Sequence, residues 1–200
     1  LFLGGDVELS TKNKPLDSEF LDQFKKEFFL SEVIEFTSII KTSNEENRAT
    51  RIRVIDNLYP MIGEAKVTPV KSLEILKNKP NTILIDKATK YNLDLKLGDK
   101  IKIQNISFEI IGIIESLPDI GGLFIFGDQA LINKSSFNDL KTNNLGSFIN
   151  FKYKMLKKKN DLNIKSYFST NKNFTIKFPE DVSQNLRKTI ENFIYFLSII

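Results

Sequence analysis

The composition limits which residues of this chain could do chemistry. The 200 residues include no His and no Cys, which excludes Ser-His-Asp and Cys-His nucleophiles, Cys/His zinc sites and disulfide bonds. Any catalysis would depend on carboxylates, Lys, Tyr or a hard metal ion. The missing cysteines do not indicate a compartment, because they fit a reducing cytosol and a disulfide-free extracytoplasmic domain equally well.

Two carboxylates are candidates for acid-base chemistry. Asp119 precedes the pair Gly121-Gly122, and Asp128 follows the apolar run 124–126. Two carboxylates at a suitable separation carry out glycoside hydrolysis. Because a glycine-rich loop lies between them, the sequence does not fix their distance, and a flexible loop followed by a buried strand is the favoured interpretation.

Two glycine motifs have a ligand-binding and an ordinary interpretation. Gly4-Gly5-Asp6 could cradle a phosphate, but no phosphate-loop spacing accompanies it, so a linker that leaves a membrane helix is favoured. The Leu-Gly-Asp motif at 97–99 could hold a metal, but it is ordinary turn chemistry before a strand. We therefore name no catalytic, cofactor-binding or metal-binding residue.

The charge pattern argues against nucleic acid as a partner. Lys and Arg total 29 against 25 Asp and Glu, a net charge of +4, and only four of the basic residues are Arg. Recognition of bases and phosphates favours Arg, so no nucleic-acid partner is expected. The run Lys157-Lys158-Lys159 is predicted to be a solvated turn, with contact to an anionic lipid or an anionic ligand as alternatives.

The first part of the chain mixes strand and helix. Val7 and Leu9 alternate as in a strand, and a turn at 15–17 leads to a predicted helix with one apolar face (Phe20, Leu21, Phe24 and Phe28). The β-branched stretches 32–40 and 49–55 flank a polar turn and predict a hairpin. Alternation of Arg51 and Arg53 with apolar residues predicts one solvated face.

The middle of the chain is predicted to be a compact β-rich module. A short polar connection after residue 67 leads to a buried strand at 82–86, where Asp86 is predicted to cap a helix over 87–91. Gly98-Asp99 turns the chain into an alternating strand, and Asn105 turns it again into a largely buried partner at 108–114.

The last part again mixes strand and helix. Residues 148–154 alternate, which predicts a strand with Ile149, Phe151 and Tyr153 buried and with Asn150, Lys152 and Lys154 on the opposite, solvated face. Residues 174–178 predict another strand. We therefore predict an α+β fold, in which 1–58 and 147–190 form a porter-like subdomain and 59–146 an inserted, smaller β-rich subdomain.

The C-terminal segment is predicted to be a helix that enters a membrane. Pro179-Glu180-Asp181 has helix-start chemistry, and apolar residues then follow at helical spacing (Val182, Leu186, Ile190, Phe193 and Leu197). From residue 191 nearly every face is apolar, so 191–200 are interpreted as the start of a transmembrane helix. A buried C-terminal core helix is the alternative.

Seven short motifs occur in a characteristic order along the chain: Gly4-Gly5-Asp6-Val7-Glu8-Leu9, Tyr59-Pro60, Gly63-Glu64, Ile83-Leu84-Ile85-Asp86, Leu97-Gly98-Asp99-Lys100-Ile101, Phe108-Glu109-Ile110-Ile111-Gly112-Ile113-Ile114 and Pro118-Asp119. In this order and spacing they resemble the extracytoplasmic domain of FtsX-like ABC transporter permeases, the MacB-like periplasmic core domain. The closest resemblance is to YbbP-like permeases of the lysophospholipase L1 biosynthesis transport type.

The resemblance implies a non-enzymatic domain between the first and second membrane helices of a permease in the inner membrane, facing the periplasm. It implies a cytoplasmic ATPase subunit as partner, no cofactor, and a role in export or in lipid and lipoprotein handling. A periplasmic partner or a hydrophobic cargo is a further expectation. The alternatives are a carboxylate-dependent hydrolase that uses Asp119 and Asp128, and a soluble ligand-binding module, which would need a deep apolar pocket.

Overall fold

The computed structural model describes residues 3–119, 128–140, 148–160, 164 and 174–181. Its elements are, in chain order, β1 (Val7–Lys12), α1 (Ser18–Asp22), β2 (Phe28–Lys41), β3 (Asn47–Ile55), β4 (Lys66–Thr68), α2 (Ser72–Asn78), β5 (Thr82–Asp86), α3 (Lys87–Asn92), β6 (Lys100–Ile103), β7 (Ile106–Ser116), β8 (Gln129–Asn133), α4 (Lys134–Asn138), β9 (Asn150–Lys157) and β10 (Thr175–Lys177).

The strands form one mixed, ten-stranded sheet. Its order is β10-β1-β9-β2-β3-β8-β5-β7-β4, and β6 pairs with both β2 and β7. Most pairs are antiparallel, but β3 with β8 and β5 with β7 are parallel. A mixed sheet with a few short helices confirms the α+β prediction.

Strands from the two predicted subdomains occupy separate blocks of this sheet. The first block is β10-β1-β9-β2-β3 and the second is β8-β5-β7-β4. They are joined by the parallel β3–β8 pairing and by the short β2–β6 pairing. The division at 58 and 147 stays a prediction.

Both faces of the sheet are covered, as the apolar strand β5 illustrates. Ile83 and Ile85 belong to the larger apolar cluster, to which residues near α1, α3 and α4 also contribute. Leu84, between them, belongs to a smaller cluster that contains Leu76 of α2. Since successive side chains of a strand point to opposite faces, a continuous apolar run is what burial on both faces requires.

Several local predictions are confirmed. The predicted hairpin is β2 and β3, paired from Val33 opposite Ile55 to Lys41 opposite Asn47. The Asp86 carboxylate accepts a hydrogen bond of 2.8 Å from the Thr89 backbone N–H and so caps α3.

Three predictions of secondary structure or exposure are wrong. The first helix ends at Asp22, and Phe28 is the first residue of β2. The connection after residue 67 contains helix α2. Arg53 and Lys154, predicted on solvated faces, are only 2% and 3% exposed.

The C-terminal predictions fall largely beyond the described residues. Residues 179–181 are helical, as their helix-start chemistry predicts. The rest of the predicted helix, from Val182, and the predicted membrane entry at 191–200 lie outside the described residues. Within the described ranges, no helix combines the length and apolar content that crossing a bilayer requires.

Candidate functional site

A buried cluster of charges lies on the sheet face that carries the smaller apolar cluster. Arg53 of β3 stands opposite Glu35 of β2 in the antiparallel ladder. The neighbours Ile52 and Val54 face the larger apolar cluster, so alternation directs the Arg53 side chain to the other face.

Asp119, three residues beyond β7, binds this arginine with both carboxylate oxygens. Arg53 Nη1 donates to Oδ1 at 3.0 Å and Nη2 to Oδ2 at 2.8 Å. Tyr59 Oη donates to Oδ1 at 2.7 Å, and Lys154 Nζ donates to Oδ2 at 2.6 Å. With a side chain only 1% exposed, Asp119 is the centre of the cluster, and four donors satisfy its charge.

Lys154 connects Asp119 to β1 and to the residues that precede it. In β9 it is paired with Glu8 of β1 and with Ser31 of β2. Its ammonium donates to the Leu3 carbonyl at 2.6 Å and lies 3.6 Å from the Glu8 carboxylate. The Lys154 side chain therefore links β9 to β1, to the residues before β1 and to the segment after β7, and its backbone is paired with β2.

Glu35 extends the cluster toward solvent. Its carboxylate contacts Lys152 Nζ at 2.6 Å and Arg53 Nε at 3.1 Å, although that Nε–H makes no hydrogen bond to any described residue. Three cations (Arg53, Lys152, Lys154) thus face three carboxylates (Glu8, Glu35, Asp119). This set, together with Tyr59, is called the ion cluster below.

The neighbouring cations hold two of its carboxylates in the ionised state. Burial alone would raise the pKa of Asp119, but Arg53 and Lys154 outweigh this and leave that pKa below its ordinary range. Burial opposes Lys152 and Arg53 at Glu35 in the same way, and the pKa of Glu35 is also lowered.

Tyr59 stays neutral and serves as a donor to Asp119. Burial is the largest influence and raises the pKa of Tyr59, Asp119 adds to the rise, and Arg53 opposes it.

Four of the seven motifs that carry the family resemblance, at 4–9, 59–60, 63–64 and 118–119, converge on this cluster. The Tyr59-Pro60 peptide bond is cis, and a Cβ on Gly63 would lie 2.6 Å from Pro118 Cβ. A Cβ on Gly4 would lie 3.2 Å from Asp119 Cβ. These segments cover the face that strand alternation predicts to be solvated, which is why Arg53 and Lys154 are buried.

The cluster is packed closed. The small void beside it, lined by Gly4, Ser31, Tyr59, Pro60, Met61, Asp119 and Lys154, leaves no room for a water molecule. A general acid needs a raised pKa, whereas that of Asp119 is lowered. Among the described residues, the geometry therefore suits a rigid joint between segments.

The candidate carboxylates from the sequence belong to separate ion pairs. Asp119 is bound by Arg53, whereas Asp128 is bound by Arg48. The intervening Gly121-Gly122 lie outside the described residues.

The other sequence candidates have ordinary roles. Asp99 accepts a hydrogen bond from the Lys96 backbone N–H at 2.7 Å within a turn, and Asp6 accepts one from the Lys157 backbone N–H at 2.9 Å. Among the residues that the structure describes, no group of three or more acidic side chains is placed to hold a metal ion.

An open surface cleft lies beside β1 and α1. It has a volume of about 460 Å³ and is lined by Thr11, Lys12, Lys14, Pro15, Leu16, Asp17, Phe20 and Phe174. Half of these side chains are polar or charged, unlike the deep apolar pocket that a module for apolar ligands would have.

Sequence reasoning missed Arg53, Lys154 and Glu8 as members of one cluster. Their only local signal is weak: Arg is scarce in this Lys-rich chain, and Arg is preferred where a carboxylate is bound by two parallel hydrogen bonds. The contact of Arg53 with Asp119 joins residues 66 positions apart, and that of Lys154 with Asp119 joins residues 35 positions apart.

The model of the MacB-like periplasmic core domain matches residues 10–187, and the chain belongs to this family. It is thus the periplasmic or extracellular domain of a MacB-type ABC transporter permease. No curated protein matched the chain.

Solved structures share the fold at low sequence identity. The periplasmic region of MacB from Actinobacillus actinomycetemcomitans aligns with a TM-score of 0.61 at 11% identity, over 92% of this chain and 94% of that one. The extracellular domain of the noncanonic ABC-type transporter YknZ from Gram-positive bacteria aligns at 0.56 and 12%, over 86% and 99%. A domain of a putative permease from Porphyromonas gingivalis aligns at 0.53 and 10%, over 82% and 79%.

Proposed function

We propose that this domain has no enzymatic activity and transmits ATP-driven motion of permease helices to the extracytoplasmic side. The ion cluster is the observation that carries the proposal. It fastens the first described residues and β1 to β9, to the β2–β3 hairpin and to Asp119 after β7. A displacement of β1 would therefore be passed to both blocks of the sheet.

The positions of the described chain ends support a connection to the membrane on one side of the domain. β10 runs antiparallel to β1, with Lys177 opposite Glu8 and Thr175 opposite Ser10. The chain beyond β10 consequently continues toward the end of the sheet at which Leu3 to Asp6 precede β1. Helices attached before and after the domain would meet it at this end.

Burial makes the joint stiff. Separating one partner of a buried ion pair leaves an uncompensated charge and costs about 3–5 kcal/mol. The Asp119 contacts of 2.6 to 3.0 Å join three separate segments. Small movements of these segments relative to one another are therefore opposed, and movement of the domain as a whole is favoured.

Membership of the family supports proposals for the partner, the location and the cargo of this domain. MacB-type permeases work with a cytoplasmic ATPase subunit, and we assign such a partner to this chain through its membrane helices. We place the domain on the periplasmic side of the inner membrane and propose export or lipid and lipoprotein handling, as in YbbP-like permeases. A hydrophobic cargo or a periplasmic protein would then contact its surface.

The test measures ATP-dependent movement of the domain. These 200 residues contain no native Cys, so in a permease and ATPase whose other cysteines are replaced the change Tyr91→Cys places one fluorophore on a side chain that is 87% exposed. The permease that contains this domain is reconstituted with its ATPase in nanodiscs that hold acceptor-labelled lipids. Energy transfer to the lipids is expected to change between the nucleotide-free and the vanadate-trapped states.

The ion cluster is tested by comparing two charge-removing variants. Asp119→Asn should reduce the change in energy transfer while ATP hydrolysis continues, because the joint is loosened. Asp94→Asn, at an exposed position, should leave the change intact. If energy transfer in the parent protein is the same in the nucleotide-free and vanadate-trapped states, transmission of motion is refuted. If the change in energy transfer is equally large in Asp119→Asn and Asp94→Asn, the role of the ion cluster is refuted.

A further inference from the structure

The end of the sheet at which both described chain ends lie also gathers lysines from two distant segments. Phe28, at the start of β2, is paired with Lys157, at the end of β9. The Lys158 backbone N–H donates to the Glu27 carbonyl at 2.8 Å. Residues 25–29 and 157–159 therefore form one continuous surface.

An exposed aromatic ring lies within this surface. Phe29 is 49% exposed, and Lys158 Nζ lies 5.3 Å from the centre of its ring. The same ammonium donates to the Lys25 carbonyl at 2.6 Å, which fixes the two segments to each other. An exposed aromatic ring beside an ammonium group is typical of side chains that enter a bilayer interface.

Some of the charge at this end is already compensated. Lys25 forms an ion pair of 2.6 Å with Asp22, and Glu27 lies half-buried beside the surface. Lys26 and Lys159 are exposed and form no ion pair with any described residue. Lys26, Lys158, Lys159 and Phe29 are called the basic end patch below.

We propose that the basic end patch contacts the headgroups of anionic phospholipids in the leaflet that faces this domain. The inference rests on the proposed function in one respect, because it needs the chain ends to face the membrane. Three ammonium groups complement lipid phosphates, and Phe29 supplies the apolar group that reaches below them. An acidic protein on the same surface is an outcome that the test distinguishes.

The opposite end of the sheet provides a control of equal formal charge, in which Lys41 forms an ion pair with Glu45. Lys41, the last residue of β2, is paired with Lys102 of β6, and Lys100 begins that strand. β2 has 14 residues, which at about 3.3 Å each separates the two ends by roughly 40 Å. Changing three lysines to Gln at either end alters the net charge equally.

The experiment measures binding of the purified 200-residue chain to vesicles. One set contains phosphatidylcholine alone, and in the other a third of the lipid is phosphatidylglycerol. The readout is the ratio of the two affinities, so that an apolar segment inserting equally into both cancels. The unchanged chain should prefer the anionic vesicles, and its preference should fall as salt is added.

The variant Lys26→Gln, Lys158→Gln, Lys159→Gln should reduce that preference on the order of 100-fold, at about fivefold for each lysine. The variant Lys41→Gln, Lys100→Gln, Lys102→Gln should retain it. Phe29→Ser should weaken binding to both vesicles while leaving the ratio unchanged. Thermal unfolding of each variant checks that the fold persists.

Equal affinity of the unchanged chain for the two vesicle types would overturn the proposal. An equal loss in both triple variants would overturn it too, since the effect would then come from net charge alone. Capture of an acidic protein by the basic end patch, with no vesicle preference, would assign the surface to a protein. Since no nucleotide is involved, failure here is distinguishable from failure of the nanodisc test.

Discussion

Asp119 is the residue on which the other members of the ion cluster converge. Its two oxygens accept four hydrogen bonds, from Arg53, Tyr59 and Lys154. Taking such groups out of water is costly, and only complete pairing offsets that cost. Removing one charge should therefore cost more than any single contact contributes.

The substitution Asp119→Asn should destabilise the domain by about 3–5 kcal/mol, because two buried cations would lose their common anion. Urea unfolding followed by circular dichroism measures the change. Asp94→Asn, at an exposed position, should stay within about 0.5 kcal/mol of the parent. A cost below about 1 kcal/mol for Asp119→Asn would mean that the cluster is not a closed, desolvated joint.

The pH dependence of stability follows from the same carboxylates. The pKa of Asp119 and that of Glu35 are lower in the folded domain than in an unfolded chain. Their contribution is therefore complete above the unfolded values near pH 4 and is lost as pH falls through the folded values. The urea midpoint should fall steeply below about pH 4 in the parent and less steeply in Asp119→Asn. Parallel curves for the two proteins would contradict this assignment.

The alternation of apolar and polar residues predicted the strands correctly, but it predicted the exposure of Arg53 and Lys154 wrongly. It assigned Ile149, Phe151 and Tyr153 to the buried face, as observed. It also assigned Arg53 and Lys154 to water. A period-2 pattern shows which residues share a face of a strand. It does not show whether a segment distant in sequence covers the polar face, so the burial of Arg53 and Lys154 could not be predicted from their strands.

Asn133 joins the two helices α2 and α4, as Asp119 joins strands and loops. Its amide nitrogen donates to the carbonyls of Leu76 and Lys79, at 2.8 and 2.9 Å, at the end of α2. Its oxygen accepts from the backbone N–H and the hydroxyl of Ser136, at 2.9 and 2.7 Å, and so caps α4. One buried side chain thus terminates one short helix and starts another.

The substitution Asn133→Ala should cost about 2–4 kcal/mol, because the buried Leu76 carbonyl and the Ser136 backbone N–H lose their side-chain partner. Asp86→Ala, which removes only the cap of α3, should cost about 1 kcal/mol. Chemical denaturation of the two variants gives the comparison. Equal costs would show that the Asn133 contacts to α2 contribute nothing beyond an ordinary cap.

Gly63 tests how the segment after Tyr59 is fitted against the end of β7. Its φ is +79°, and an added Cβ would meet Pro118 at 2.6 Å. Gly98 has a φ of +90° but open space around it. Gly98→Ala should therefore cost about 1 kcal/mol, for conformation alone, and Gly63→Ala more than about 2 kcal/mol. Similar melting temperatures for the two variants would argue against tight packing at Pro118.

Elements specified by local chemistry could be predicted, and those specified by distant contacts could not. Asp86 caps its own helix, and the turn at Gly98 lies within its own motif. Helix α2 has only seven residues, fewer than an isolated helix needs for stability. It is held by burial of Leu76 and by Asn133, which lies 57 positions away from Leu76.

The single sheet joins the two predicted subdomains across the whole molecule. Five residues of β3 pair in parallel with β8, and Arg53, also in β3, binds Asp119. The sequence indicates where strands begin and end, but the pairing of β3 with β8 closes a separation of more than 70 residues. No local pattern encodes that choice.

This continuity predicts that the domain unfolds as one unit. Native-state hydrogen exchange should give the same opening free energy, within about 1 kcal/mol, for Leu84 in β5 and Phe151 in β9. In Asp119→Asn both values should fall together, because the parallel β3–β8 pairing still couples the blocks. A markedly lower opening free energy for Leu84 in the parent would mean that 59–146 opens by itself. A block that opens alone could not receive motion from β1 through the ion cluster.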